Sequence, residues 1–351
     1  MQVSLQNVLN FVADVKQQYS PYLSGLLFHH GRKNCSAMAR ALSQPVKRFY
    51  KSFNNIFEKK AAIRKLLTSI ANGIQTIDGL RVLTIDGTVI SKIFAKNIDN
   101  LSVDYDGVIR RVTRGLSLMV AGLVTGNNII PLDFLFWHNK TDPNGKYKTK
   151  IQLAMDLITQ LYQAVEFDYI ALDGAFASKE MIEFLERLGI KYSIRMPRNR
   201  NVVIDDLKKR LDSQPVLTLV RNERCKTVKG FYQGNACFFT VHKRKKRGGG
   251  WEKIFIVSNM SITAKDHVDA YNRRWTIDKS FRTQKQYLGL KDCQMLSGDK
   301  QTFHILNVFL AYSFATIKKI AKKKKSVEDV LRTWRHSQDS KKIQNIFDNN
   351  D

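Results

Sequence analysis

The stretch from Arg81 to Pro197 limits the fold of this chain more than any other, because apolar runs of strand length alternate there with segments of helical period. In Val82-Leu-Thr-Ile-Asp86, Val82, Thr84 and Asp86 share one face of a strand, and Leu83 and Ile85 share the other. Leu116 to Val124 and Ile129 to Trp137 are two more strands, and the turn residues of Thr125-Gly-Asn-Asn128 predict a hairpin between them. Ile151, Ala154, Met155, Ile158 and Leu161 then recur at helical spacing, and Tyr169 to Asp173 is a buried strand. Met181, Phe184, Leu185 and Leu188 mark a helix that stops at Gly189, and Tyr192 to Met196 is a last strand before Pro197. Three strands, helix, strand, helix, strand is the order of a mixed sheet flanked by helices, an α/β (α+β) fold rather than a uniform βαβ repeat.

The flanking regions differ in character. Residues 1 to 75 are expected to form a basic helical domain, with apolar residues at helical spacing in Val8, Leu9, Phe11 and Val12 and again in Ile63, Leu66, Leu67 and Ile70. Within it, residues 36–42 and 46–53 are two short helices broken at Ser43 to Pro45; a DNA-reading helix-turn-helix and an ordinary bundle pair both fit. The first part of the sheet domain is expected over 76–197, followed by a β-rich insertion over 198–262. That insertion has strands at Thr227 to Tyr232 and Ala236 to His242 around Gln233-Gly-Asn235, and another at Ile254 to Val257. It also carries Lys243-Arg-Lys-Lys-Arg-Gly-Gly-Gly250, a flexible cationic loop that suits phosphates or a solvated tip equally. The sheet domain resumes over 263–320 with one long helix from about Ala264 to Tyr287 and an apolar helix from Phe303 to Ile317. A basic tail, 321–351, includes Lys322 to Lys325 and is expected to fray over Asn349 to Asp351.

Charge narrows the partners. The 58 Lys and Arg exceed the 31 Asp and Glu by 27, which draws polyanions and puts nucleic acid first. An enzyme for small acidic metabolites needs one cationic pocket, not an excess spread over the whole chain. Cys35, Cys225, Cys237 and Cys293 form no CxxC pair, so neither a disulfide framework nor a zinc site is written, and reduced thiols in the cytoplasm are expected. The seven histidines show no HxxxH spacing, against a zinc hydrolase. Met1-Gln2-Val3-Ser4 lacks the basic start of an export signal, and Phe303 to Ile317 is too short to span a bilayer.

Three acids stand out by their setting: Asp86 and Asp173 close hydrophobic strands, and Asp278 lies inside the long helix. A carboxylate at a buried strand end must be paired, hydrogen-bonded or coordinated, because an isolated buried charge costs several kcal/mol. Carboxylates gathered together need a cation between them, and oxygen-only ligands select Mg²⁺ or Mn²⁺. On a phosphodiester, two such ions roughly 3.5 to 4 Å apart would serve the attacking and the leaving oxygen. Each of Asp86 and Asp173 also precedes glycine, so a plain Asp-Gly turn fits either one alone. Tyr271, Arg274, Asp278, Arg282 and Lys285 follow at spacings of three, four, four and three and share one helical face, suited to phosphates or to a solvated row of ion pairs.

Tyr271-Asn-Arg-Arg274-Trp-Thr-Ile-Asp278-Lys-Ser-Phe-Arg-Thr-Gln-Lys285 resembles the Y-x2-R-x3-E-x6-K signature of the DDE transposases of bacterial insertion sequences, and Gln286-Tyr-Leu-Gly-Leu290 continues the likeness. Leu83-Thr-Ile-Asp86-Gly-Thr resembles the strand bearing that family's first Asp, and Ala171-Leu-Asp173-Gly-Ala-Phe176 the D-x-x-F segment bearing its second. The resemblance covers residues 80 to 320 and implies an RNase H-like mixed sheet with a β-strand insertion before the third acid. It implies that Asp86, Asp173 and Asp278 hold two Mg²⁺ (or Mn²⁺) ions for strand cleavage and strand transfer at transposon ends. Tyr271, Arg274 and Lys285 would contact the transposon-end backbone, with Arg282 beside them. The partners implied are double-stranded DNA, as terminal inverted repeats and target, and a second copy in a homodimeric synaptic complex, at the nucleoid of a bacterial cytoplasm and with no membrane. An aromatic residue would hold a displaced base, for which Trp137 and Trp251 are candidates unless they belong to the core. Position 278 departs from the pattern, being Asp where the family has Glu, and no other Glu shares that helical face. A DNA-binding derivative disabled at position 278 and an RNase H-like nuclease that cuts without joining are the alternatives.

Overall fold

The computed structural model describes residues 21–74, 79–140, 147–246 and 248–336. The expected helix around Val8 to Val12 and the frayed end at 349–351 lie outside them. Among the described residues four helices precede the sheet: α1 (residues 21–28), α2 (Cys35–Ala41), α3 (Val46–Lys51) and α4 (Ile56–Gly73). Asn34 caps α2 by accepting from the Ala37 N–H, and the chain breaks before α3 at the expected place. Ser43 adopts φ 51° there, and Pro45, in extended conformation, stands just before the first turn of α3.

The sheet begins with β1 (Arg81–Ser91), β2 (Ser102–Asp106), β3 (Arg111–Thr125) and β4 (Asn128–Trp137), followed by α5 (Lys150–Leu161), β5 (Tyr169–Leu172), α6 (Lys179–Arg187) and β6 (Tyr192–Met196). β4 runs antiparallel to β3 and β3 antiparallel to β1, while β1, β5 and β6 run parallel. The order β4-β3-β1-β5-β6, an antiparallel meander joined to two parallel strands, is the RNase H-like arrangement. One strand corrects the expected order: β2 stands between β1 and β3 in sequence and pairs with the first residues of β3. Its five residues, Ser-Val-Asp-Tyr-Asp, form a polar edge strand without an apolar run to announce it. β1 is buried on both faces, so Val82, Leu83, Thr84 and Ile85 are all at 0% exposure and its alternation carries no inside–outside meaning.

The insertion contributes β7 (Asn201–Ile204), β8 (Leu207–Arg210), β9 (Cys225–Tyr232), β10 (Asn235–Lys245) and β11 (Trp251–Ser258). β11 pairs antiparallel with β6, and β10, β9, β7 and β8 follow outward, so these strands continue the same sheet to eleven among the described residues. The β7–β8 hairpin was not expected; it turns at Asp205 and Asp206, both at positive φ. Lys243 to Lys245, expected in a loop, belong to β10 and pair with Trp251 to Lys253.

The expected single helix from Ala264 to Tyr287 is two: α7 (Ala264–Asn272), on β6, β10 and β11, and α8 (Trp275–Gln286), on β1, β3 and β4. α9 (Gly298–Ala321) runs through the core against α4 and β4. Its buried Ser313 and Thr316 hydroxyls donate back to the carbonyls of Phe309 and Tyr312, which removes the cost of burying them. The first part of the expected basic tail folds as α10 (Val327–His336), with Val327, Val330 and Leu331 buried. One hydrophobic cluster includes Leu26 and Met38 of the first helices, the sheet, and Phe303 and Phe309 of α9. Full burial of each such side chain stabilises the fold by about 2 kcal/mol over leaving it exposed. All four cysteines are free thiols, and among the described residues no helix is long and apolar enough to cross a membrane.

Candidate active site

The parallel pairing of β1 with β5 places Ile85 opposite Leu172. Asp86 is the next residue of β1, and Asp173 is the residue just past the end of β5, so both acids follow the last pair of two parallel strands. Asp86 is followed by Gly87 within β1, so it does not sit in a turn, and its Oδ1 accepts from the Gly87 N–H at 2.7 Å. Asp173 lies just past β5, at the N-cap of a short 3-10 turn, Gly174–Phe176.

The junction of α7 and α8 lies against these two acids. Around Arg273 and Arg274 the helix tightens: the Arg274 N–H donates to Tyr271 O at 3.2 Å, that of Thr276 to Arg273 O at 3.1 Å, and that of Ile277 to Arg274 O at 3.1 Å. Bonds of this i to i+3 kind stack side chains three residues apart, so Tyr271 and Arg274 point together. The Tyr271 hydroxyl donates to Asp173 Oδ1 at 3.3 Å. Arg274 Nη1 donates to Asp86 Oδ2 at 2.7 Å and to Asp278 Oδ2 at 3.3 Å. The arginine is 3% exposed, its guanidinium carbon 4.8 Å from the Trp275 ring centre and 5.8 Å from that of Tyr271.

The titration of the group follows from this crowding. Burial pushes the Asp86 carboxyl up to about 6; Arg274 opposes the rise, and Asp278 and Asp173 add to it. Asp278 is raised by burial, again against Arg274, and Tyr271 likewise. Burial works against the charge of Arg274, but Asp86, Tyr271, Asp173 and Asp278 outweigh it and raise its pKa. One guanidinium therefore leaves negative charge among the three acids incompletely balanced, the setting that favours a hard divalent cation. The donors fit such an ion in kind, being carboxylate oxygens throughout. Among the described residues no three His, Cys, Asp or Glu stand close enough together to hold one, and Arg274 reaches both Asp86 and Asp278.

The five residues read as one helical face therefore divide. Tyr271, Arg274 and Asp278 converge on Asp86 and Asp173, with Tyr271 and Arg274 buried rather than presented to solvent. Arg282 is exposed, and Lys285 is half-buried in a cleft of about 990 Å³ that Arg32, Lys92, Lys96 and Lys291 also line. Burial lowers the pKa of Lys285, with Asp106 opposing. Those four cations escape a motif search because they come from three separate segments; the apolar triplet between two lysines in Lys92-Ile-Phe-Ala-Lys96 just past a strand is the one signal of them. Trp137 packs against the core, whereas Trp251 is 50% exposed with Lys243 Nζ 5.2 Å from its ring centre.

The family described as Transposase DDE domain matches residues 126–314, and the family described as DDE superfamily endonuclease matches residues 10–215. Asp173 falls in both matches, Asp86 in the second and Asp278 in the first. The protein is thus a metal-dependent, DNA-cleaving enzyme of the DDE type. Each match spans more than half of the sequence, and the chain belongs to the DDE transposase family. Among solved structures it is similar to Ciona intestinalis endonuclease V in complex with a 23mer DNA containing an inosine followed by a ribo-adenosine, at 9% identity and a TM-score of 0.28 over 76% of this chain and 99% of that one. The same enzyme with a 24mer DNA gives 8% identity and a TM-score of 0.29 over 75% and 98%. No curated protein matches the sequence.

Proposed function

We propose that this protein is the transposase of a bacterial insertion sequence, cutting DNA at the element's ends and joining the freed 3′-hydroxyls to target DNA. The observation that carries this reading is the placement of Asp86 and Asp173 directly after the last pair of the parallel strands β1 and β5, with Arg274 tying Asp86 to Asp278 on the helix across them. In this reading Asp86, Asp173 and Asp278 hold two Mg²⁺ (or Mn²⁺) ions. Bound ions of this kind supply Lewis-acid activation of the attacking oxygen and stabilisation of the leaving oxygen at a phosphodiester. The protein's own residues position the groups: Tyr271 orients Asp173, and Arg274 holds the first and third acids together before DNA arrives. Arg282 and Lys285 take the backbone of the transposon end, which Tyr271 and Arg274 approach near the scissile phosphate. Exposed Trp251 is the better placed of the two tryptophans to hold a displaced base. The helices of residues 1–75 and the 198–262 insertion supply further DNA contacts, two copies pair the two ends, and the work is done at the nucleoid in the cytoplasm.

Labelled duplex from the DNA flanking the coding sequence, incubated with Mg²⁺, tests the reading. Cleaved and joined products that vanish in Asp86→Ala support it; nicks without joining leave a simple nuclease, and binding identical in both proteins without any cleavage overturns catalysis. One observation favours a second reading, a DNA-binding derivative that no longer cuts: Asp278, a methylene shorter than the family's Glu, is held on Arg274. Activity appearing only in Asp278→Glu would establish that second reading.

A further inference from the structure

Both elements that carry acids of the site also reach the basic cleft. β1 runs from Asp86 to Ser91 and continues into one wall, Lys92 to Ile98; α8 runs from Asp278 to Lys285 and Gln286 on another. The third wall, Lys291 to Gln294, is tied to the first by Lys92, whose Nζ donates to the carbonyls of Lys291 at 2.7 Å and Cys293 at 2.5 Å. Lys92 is therefore committed to holding the walls together. Arg32, Lys96 and Lys291 are exposed and make no ion pair among the described residues. The one acid in the lining, Asp292, accepts from the Lys33 backbone N–H at 2.9 Å. At the rim, Phe94 is 95% exposed and Ile93 49%, an aromatic ring held in water between two lysines.

An exposed ring among unpaired cations matches one ligand chemistry: phosphates for the cations and the flat face of a base for the ring. A protein partner would cover Phe94 as well, but it would need acids for the cleft, and DNA brings negative charge at every step. We infer that the cleft takes a DNA strand beyond the reacting phosphate, its backbone on Arg32, Lys96 and Lys291 and one unstacked base on Phe94. The inference rests on the transposase reading for which DNA is bound. At about 3.3 Å per strand residue, Ser91 stands roughly 17 Å from Asp86, and Phe94 follows three residues past the end of β1. The unstacked base therefore belongs several positions away from the cleavage point rather than beside it.

The test is equilibrium binding of the full chain to two short duplexes, one from the DNA flanking the coding sequence and one of unrelated sequence as target, each fully paired or with a single unpaired base stepped along its length. The wild type is expected to prefer the unpaired base by about tenfold at one position several steps from the cleavage point, the worth of one base stacked on a ring. Phe94→Ala should abolish that preference and Phe94→Trp retain it, both with unchanged melting temperature because the side chain is exposed. Preference on the flanking duplex assigns the cleft to the element's end, and preference on the unrelated duplex assigns it to target DNA; either supports the inference. Cleavage of the flanking duplex with the preference absent, or intact in Phe94→Ala, overturns this inference and leaves the transposase reading standing. A Phe94→Ala that changes only the oligomeric state by light scattering also overturns it, making the ring a contact between copies. A wild type that binds neither duplex overturns both.

Discussion

Nη1 of Arg274 lies 2.7 Å from Oδ2 of Asp86, joining two residues 188 apart in sequence through a part-buried bond whose arginine is almost closed to solvent. The same nitrogen reaches Asp278, so one side chain helps set how far α8 stands from β1. Removing one partner of a buried ion pair costs more than the pair contributes, because the other charge is left unbalanced. Arg274→Met is expected to destabilise the fold by about 3 kcal/mol and to push Asp86 further up. Urea denaturation measures the loss. Adding Asp86→Asn to the variant should recover part of it by removing the stranded charge, and independent, additive losses would refute the coupling.

How much of this was legible beforehand depended on range. Asp86 showed itself because it closes an apolar run, and the i to i+4 relation of Arg274 to Asp278 follows from helical period. That Arg274 spans to β1 did not, because no local rule carries over 188 residues. The split of the 264–287 helix was hidden for a different reason: a 3-10 turn preserves the apolar rhythm, and only the change of underlying strands from β6, β10 and β11 to β1, β3 and β4 reveals it. β2 and β8 were missed as short polar edge strands, since burial on one face is what writes alternation into a sequence.

Gly289 separates two costs that usually come together. It adopts φ +68°, and a Cβ there would fall 2.3 to 2.4 Å from the Cγ and Cβ of buried Lys33. Gly126 adopts φ +57° with nothing within 4 Å. Gly126→Ala should therefore cost only the backbone part, about 1 kcal/mol, and Gly289→Ala about 2 kcal/mol or more because Lys33 must also move. Equal losses of denaturation free energy would show that Lys33 yields without cost.

His304 makes the fold acid-sensitive. Its Nε2 lies 3.0 Å from Gly289 O and must carry the proton, which leaves Nδ1 to accept from the Tyr22 hydroxyl at 2.7 Å. Burial first, and the Lys92 charge second, lower its pKa from 6.5 to about 4. A histidine depressed in the folded state contributes stability above its unfolded pKa and loses it as pH falls through the folded value. About 3 kcal/mol should disappear between roughly pH 6.5 and pH 4. Urea midpoints across that range check it against His304→Gln, which should flatten this part of the profile at the cost of lower stability near neutrality.

DNA binding should weaken steeply with salt, as counterions released by bound phosphates are returned to the duplex. Arg282 and Lys285 occupy different positions on α8, one exposed and one half-buried in the basic cleft, so their loss should read differently. Each alanine substitution is expected to reduce the slope of log affinity against log salt by about one for a direct phosphate contact. Burial lowers the pKa of Lys285, and its contact should therefore weaken as pH rises. Fluorescence anisotropy at several salt concentrations, repeated at neutral and alkaline pH, measures both effects. A slope unchanged in Lys285→Ala would remove that residue from the DNA interface and leave Arg282 to be judged alone.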